Sequence, residues 1–318
     1  MSWTFPGVVR SVFVAVVAFA LVSTPSSAQV RTAFPEQRGV ALSAFPRTIK
    51  LAENVYGYEE IRSPGFTTVS LFVVGADGVL IADGQGSPAA TRTMLDAIAG
   101  ITPKPVWWYI VGSDHGDHTA GNSVLPKDIT YIVSKASREQ MASDAANPNR
   151  SASAPPMVVP PVAMTADTQT IDVGGIAVQA VYAGRAHTGG DLLVYLPKEK
   201  ILFMSEVYLN RVFPAMRSAY PTEWVVVIDA ALQMDVERFV PGHGFIEEPQ
   251  VSREELVTYQ QAMRAVIAEV TRLHALGLSA DAAVKAANWG PYQEWFLAEQ
   301  QGPIAVRKIY EELEGKLK

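Results

Sequence analysis

Cysteine is absent from all 318 residues, which removes disulfides, thiolate ligands and a thiol nucleophile together. Any metal must therefore be held by histidine, carboxylate, hydroxyl or water. Histidine is scarce, with five in the chain, so the placement of each is informative. A basic excess is also missing. The 26 Lys and Arg against 32 Asp and Glu give a net charge of −6, which argues against nucleic acid or an anionic membrane as a partner. The one long apolar run, 12–22, is short of the roughly 20 residues that cross a bilayer, so no stable membrane anchor is expected. No Gly-x-Ser-x-Gly elbow surrounds any serine, and a Ser-His-Asp hydrolase has no support. Internal repeats are lacking.

What is present begins with a processing signal over residues 1–28. Arg10 supplies the positive start, 12–22 the apolar stretch, and Ser26-Ser27-Ala28 the small-residue cleavage site before Gln29. Its removal takes away one base and no acid, leaving 25 − 32 = −7. A periplasmic or secreted protein is the expectation. Residues 29–48 mix Pro, Gly, Arg and Ser without a period and read as a surface arm.

From 49 to 250 the pattern is that of one α/β domain. Stretches 69–74 and 79–84 read as a hairpin, Pro88 opens a helix to Gly100, and 106–111 is a buried strand. A short strand over 131–133 and a helix over 134–146 follow. Residues 147–165 hold five prolines and no period, and read either as an exposed insertion or as a flap over a cleft. Segments 169–173 and 176–182 pair around Gly174-Gly175. Strands at 192–196, 201–204 and 239–241 complete the series, with a helix over 224–234. Residues 251–318 form a helical extension: Ser252 and Glu255 suggest a capping box, Ser279 caps a second helix, and Pro303 starts a last one.

The chemistry gathers where the strands end. Ser113-Asp114-His115-Gly116-Asp117-His118 follows the 106–111 strand, His187 and Asp191 lie in a Gly-rich segment, Ser205-Glu206 follows 201–204, and His243 sits between Gly242 and Gly244. Open α/β sheets place ligands at such carboxyl ends. Four of the five histidines share this setting, which points to a metal site. The fifth, His274, sits on a helix and reads as a surface residue.

These residues, in this order, resemble the metallo-β-lactamase superfamily, whose fold is a four-layer αββα sandwich with a metal-binding run of the form His-x-His-x-Asp-His. His115, Asp117 and His118 match the last three members of the run. His187 matches the family's middle histidine, His243 its last, and Asp83 its early structural aspartate. Ser113 stands where the run's first histidine would be, and Glu206 where a bridging aspartate often lies. The resemblance implies one metal position with Asp117, His118 and His243, within reach of Glu206. A second would have His115 and His187, with Ser113, Asp114 or water as a poor third donor. Asp191 and Asp83 are expected behind the ligands.

By this resemblance the cofactor is Zn²⁺, as one or two ions of unequal affinity, with Fe or Mn also compatible. Asp117 is the candidate to orient or deprotonate the attacking water. The expected function is an exported metal-dependent hydrolase opening an ester, lactone or amide-like bond of a small molecule. The alternatives are a β-lactam hydrolase, an iron-dependent oxygenase or a non-catalytic binding protein. The stretch after Glu206, with Tyr208, Arg211 and Phe213, reads either as substrate pocket or as packing. The oligomeric state is left open.

Overall fold

The computed structural model describes residues 1–3, 30–151 and 153–317. The expected leader lies almost wholly outside them. Residues 31–318 make one compact unit, with two sheets and seven α-helices among the described residues.

The first sheet runs in chain order: β1 (Arg47–Ala52), β2 (Val55–Arg62), β3 (Phe66–Val74), β4 (Val79–Ala82), β5 (Val106–Ile110) and β6 (Thr130–Ile132). Its first four strands are antiparallel and its last two join in parallel. The second sheet has the order β11-β10-β9-β8-β7, built from β7 (Thr168–Asp172), β8 (Ala177–Val181), β9 (Leu193–Leu196), β10 (Ile201–Phe203) and β11 (Arg238–Val240). Gly174 and Gly175, at φ 54° and 93°, supply the left-handed pair that the tight β7–β8 turn requires.

Alternation along the strands builds the layers. Leu71 and Val73 of β3, Leu80 and Ala82 of β4, and Ile201 and Phe203 of β10 meet in one core between the sheets. Phe72 and Ile81, pointing the other way, pack with α1 (Pro88–Ile101) and α3 (Lys135–Ala145) through Met94, Ile98 and Met141. Leu202 and Phe239, on the far face of the second sheet, pack with α4 (Pro221–Gln233) and α5 (Pro249–Ala275) through Trp224 and Leu256. The result is the αββα sandwich. The one-turn α2 (Gly116–Thr119) lies between β5 and β6, and α6 (Ala280–Ala286) and α7 (Ala298–Leu313) complete the helical extension.

Several boundaries differ from the sequence reading. The chain is already in strand from Arg47, and β2, with no separate sequence signal, pairs with β3 from Phe66 to Val73. Helix α5 begins at Pro249, whose fixed φ suits a first helical position. The expected capping box is not formed. Ser252 Oγ accepts from the Phe239 amide at 3.2 Å, and Glu255 is taken by Arg211 at 2.6 and 2.7 Å. Helix α7 starts at Ala298, leaving Pro303 inside it. The described part of the proline-rich 147–165 segment lies along α3 and does not line the cavity that holds His115, Asp117 and His243. Arg138 donates to the carbonyls of Pro160 and Pro161, and Met157 and Val159 pack against the α1/α3 core.

Candidate metal centre

Close backbone approaches bring the polar strand ends together. A Cβ on Gly112 would lie 2.8 Å from Ser205 Cβ, and one on Gly242 2.4 Å from the Ser205 carbonyl carbon. The loops after β5, β10 and β11 therefore meet around one residue, and their neighbours Ser113, Glu206 and His243 converge. Asp83, at the end of β4, ties the junction. Its Oδ1 accepts from the Gly112 amide at 2.7 Å, its Oδ2 accepts from Ser205 Oγ, and Oδ2 lies 3.0 Å from His118 Nδ1. Tyr109 donates to the His118 carbonyl at 2.8 Å, fixing the helical turn that carries Asp117 and His118.

Glu206 lies at the centre. Its Oε1 is 3.3 Å from His243 Nε2 and 3.9 Å from His118 Nε2; its Oε2 is 2.9 Å from His115 Nδ1 and 3.2 Å from His187 Nε2. Asp117 Oδ2 adds a donor 3.1 Å from His243 Nε2. Two groups able to hold a metal ion result: Asp117, His118, Glu206 and His243, and His115, His187 and Glu206. The shared glutamate presents one oxygen to each. Ser113 faces the second group but donates its hydroxyl to Glu206 Oε2 at 2.7 Å.

The donor set fits a cation. His243 Nδ1 donates to the Thr67 carbonyl at 2.8 Å, and His118 Nδ1 faces Asp83, so both protons sit on the side away from the cluster. Their Nε2 lone pairs then face each other at 3.3 Å beside two carboxylates. Only a positive charge makes that arrangement favourable, and without a metal protons serve. Burial disfavours the imidazoliums of His115 and His243, but Glu206, joined at His243 by Asp117, outweighs it and pushes both up to about 9. Burial also pushes Asp117 and Glu206 upward. The surrounding imidazoles prevail and hold both below the ordinary carboxylate range.

Asp191 is held by the residue after His187, accepting from the Thr188 amide at 2.6 Å and hydroxyl at 2.8 Å, and burial raises it to about 7. Asp114 is buried beside His115, and desolvation lifts it to about 6. Neither belongs to a metal-holding group. His274 is remote, its ring against Tyr310.

A cavity of about 240 Å³ opens over His115, Asp117, His187, Glu206 and His243. The segment after Glu206 contributes to it through other residues than expected. Tyr208 and Phe213 are fully buried in the helical core, and Arg211 is bound to Glu255. Leu209, Val212 and Arg217 line the cavity instead. Arg62, at the end of β2, was not legible as a site residue. It reaches across the cavity to touch Asp117 Oδ2. The other side is closed by Leu297, Gln300, Gln301 and Ile304 of the C-terminal extension.

Comparison with known proteins adds the following. A family model described as the metallo-beta-lactamase superfamily matches residues 63–243. The alpha subunit of 2,4-dinitroanisole O-demethylase from Nocardioides sp. (strain JS1661) is 25% identical over 176 residues, which are 55% of this chain and 52% of that protein. The chain thus spans about half the length of that relative. Among solved structures, the sec-alkylsulfatase Pisa1 from Pseudomonas sp. superposes with a TM-score of 0.71 at 15% identity, over 88% of this chain and 52% of that one. A metallo-beta-lactamase from Pontibacter korlensis gives 0.59 at 19% identity, over 68% of this chain and 98% of its own. At these identities the structural likeness speaks for the fold.

Proposed function

This chain belongs to the metallo-beta-lactamase superfamily, and we propose that it is a metal-dependent hydrolase that opens an ester, lactone or amide-like bond of a small molecule. The observation that carries the reading is Glu206 presenting one carboxylate oxygen to each of two donor groups on the floor of a cavity. Asp117, His118, His243 and Glu206 would hold one ion, and His115, His187 and Glu206 the other. The donor set suits zinc, with manganese and iron also compatible. Bound there, the metal supplies a water acidic enough to ionise near neutral pH and a Lewis acid for the scissile group.

The protein's own residues do the rest. Asp117, held ionised by its imidazole neighbours and in contact with Arg62, would orient the attacking water by accepting its hydrogen bond. Arg62 and Arg217 give the cavity two cationic groups beside the cluster, suited to a substrate with a negative or strongly polar group. That charge favours, as a second reading, a sulfate ester of the kind named for the Pseudomonas neighbour. The reading further includes export through the 1–28 leader and a small molecule as the substrate.

The test is turnover of a panel of carboxylic esters, lactones, a chromogenic β-lactam and alkyl sulfates by the metal-loaded protein, repeated after chelation. Turnover that chelation abolishes and metal restores is expected. No turnover at full metal occupancy would leave a binding protein on this fold. N-terminal sequencing of the exported protein should begin at Gln29.

A further inference from the structure

The C-terminal extension enters the cavity at the start of α7. Leu297 holds φ 66°, left-handed backbone that a leucine adopts only when its surroundings impose it. Those surroundings are identifiable. The Phe213 amide donates to the Phe296 carbonyl at 2.9 Å, and the Phe296 amide to the Arg211 carbonyl at 3.3 Å, splicing the extension to the segment that follows Glu206. One turn later Gly302 lies against Trp289, where a Cβ would come within 2.7 Å of the indole nitrogen. Ala305, Val306 and Ile309 are buried beneath. The helix start is therefore a fixed wall. Leu297 and Ile304 on it line the cavity together with Phe66, Leu209 and Val212. Leu297, packed on one side against the helical core, and Ile304 are partly exposed aliphatic side chains held in this way beside the metal-holding groups.

We propose that Leu297 and Ile304 form a substrate-selecting subsite that receives an aliphatic group attached to the scissile bond. The extension thereby sets the chain length the enzyme accepts. This rests on the hydrolase reading for the meaning of the selection, though not for its measurement. Geometry gives the direction. The metal-holding groups form the floor, and Leu297 and Ile304, with Phe66, Leu209 and Val212, are the aliphatic and aromatic part of a lining that also holds Arg62, Arg217, Gln300 and Gln301, so a linear aliphatic chain has Leu297 and Ile304 as its contacts on α7.

The test measures equilibrium binding of acetate, butyrate and octanoate to the metal-loaded full chain by calorimetry, alongside turnover of the matching p-nitrophenyl esters. The wild type should prefer octanoate to acetate. Leu297→Gly, which suits the left-handed backbone, and Ile304→Asn, at a partly exposed position, should each cut that preference by about tenfold, with metal content and melting temperature as controls. A wild type that binds octanoate no better than acetate overturns the proposal, as do two folded, metal-loaded variants that keep the wild-type ratio. A preference that shifts in the variants while neither these esters nor any member of the lactone, β-lactam and alkyl sulfate panel is turned over supports the subsite and removes the hydrolase reading instead.

Discussion

The Ser113 hydroxyl donates a 2.7 Å hydrogen bond to Oε2 of Glu206. The serine that stands in place of a ligand histidine thus serves the shared carboxylate, and the second group keeps three donors against four in the first.

Ser113→His should add a fourth donor to the second group. In a zinc titration followed by competition with a chromophoric chelator, its weaker step should tighten by at least about tenfold, the scale of a change in coordination or its support. An unchanged weaker step would contradict the two-group description.

Asp83 acts through His118. The carboxylate that lies 3.0 Å from Nδ1 also receives the Gly112 amide and the Ser205 hydroxyl. Asp83→Asn should weaken the tighter metal step by about 10- to 100-fold, measured by the same competition. Wild-type affinity would show that Asp83 only braces the backbone.

The architecture was readable because its signals are local. Alternation in 69–74, 79–82 and 201–203 shows which side chains point to each layer, and apolar runs ending in His, Asp or Glu show where the site collects. Arg62, Leu297 and Ile304 were not readable. Each reaches the cavity from a strand or helix whose local pattern says only strand or helix, and their meeting depends on how the extension packs back on the sandwich. Arg211 shows the reverse. An arginine near a ligand looks like a substrate anchor until the fold sets Glu255, 44 residues later, beside it.

Arg211 and Glu255 form a partly buried bidentate pair, with the glutamate side chain fully enclosed and the arginine 21% exposed. Arg211→Ala leaves that carboxylate with Arg31 at 3.1 Å and should lower stability by about 3 kcal/mol, the low end for breaking a buried pair. Urea unfolding at constant metal occupancy gives the value, and a loss under 1 kcal/mol would place the pair with ordinary surface bridges.

Metal binding should release protons. Burial opposes charge on His115 and His243, yet the neighbouring carboxylates raise both to about 9, so in the metal-free protein both are protonated below that pH. A metal must displace those protons, and its apparent affinity should rise with pH up to about 9 and level off above. Calorimetric titration at pH 7 in buffers of different ionisation enthalpy should report release of about two protons from these histidines when both positions are filled, one from His243 in the first group and one from His115 in the second. Heats independent of the buffer would contradict the assignment.

The central claim is that Glu206 joins two unequal metal positions. Its most direct test is the metal-to-protein ratio of the purified chain, followed by mass spectrometry during stepwise chelation. The account predicts two ions per chain lost in two separate steps, with Glu206→Gln weakening both. A single ion lost in one step, or a Glu206→Gln variant that keeps the wild-type pattern, would contradict it.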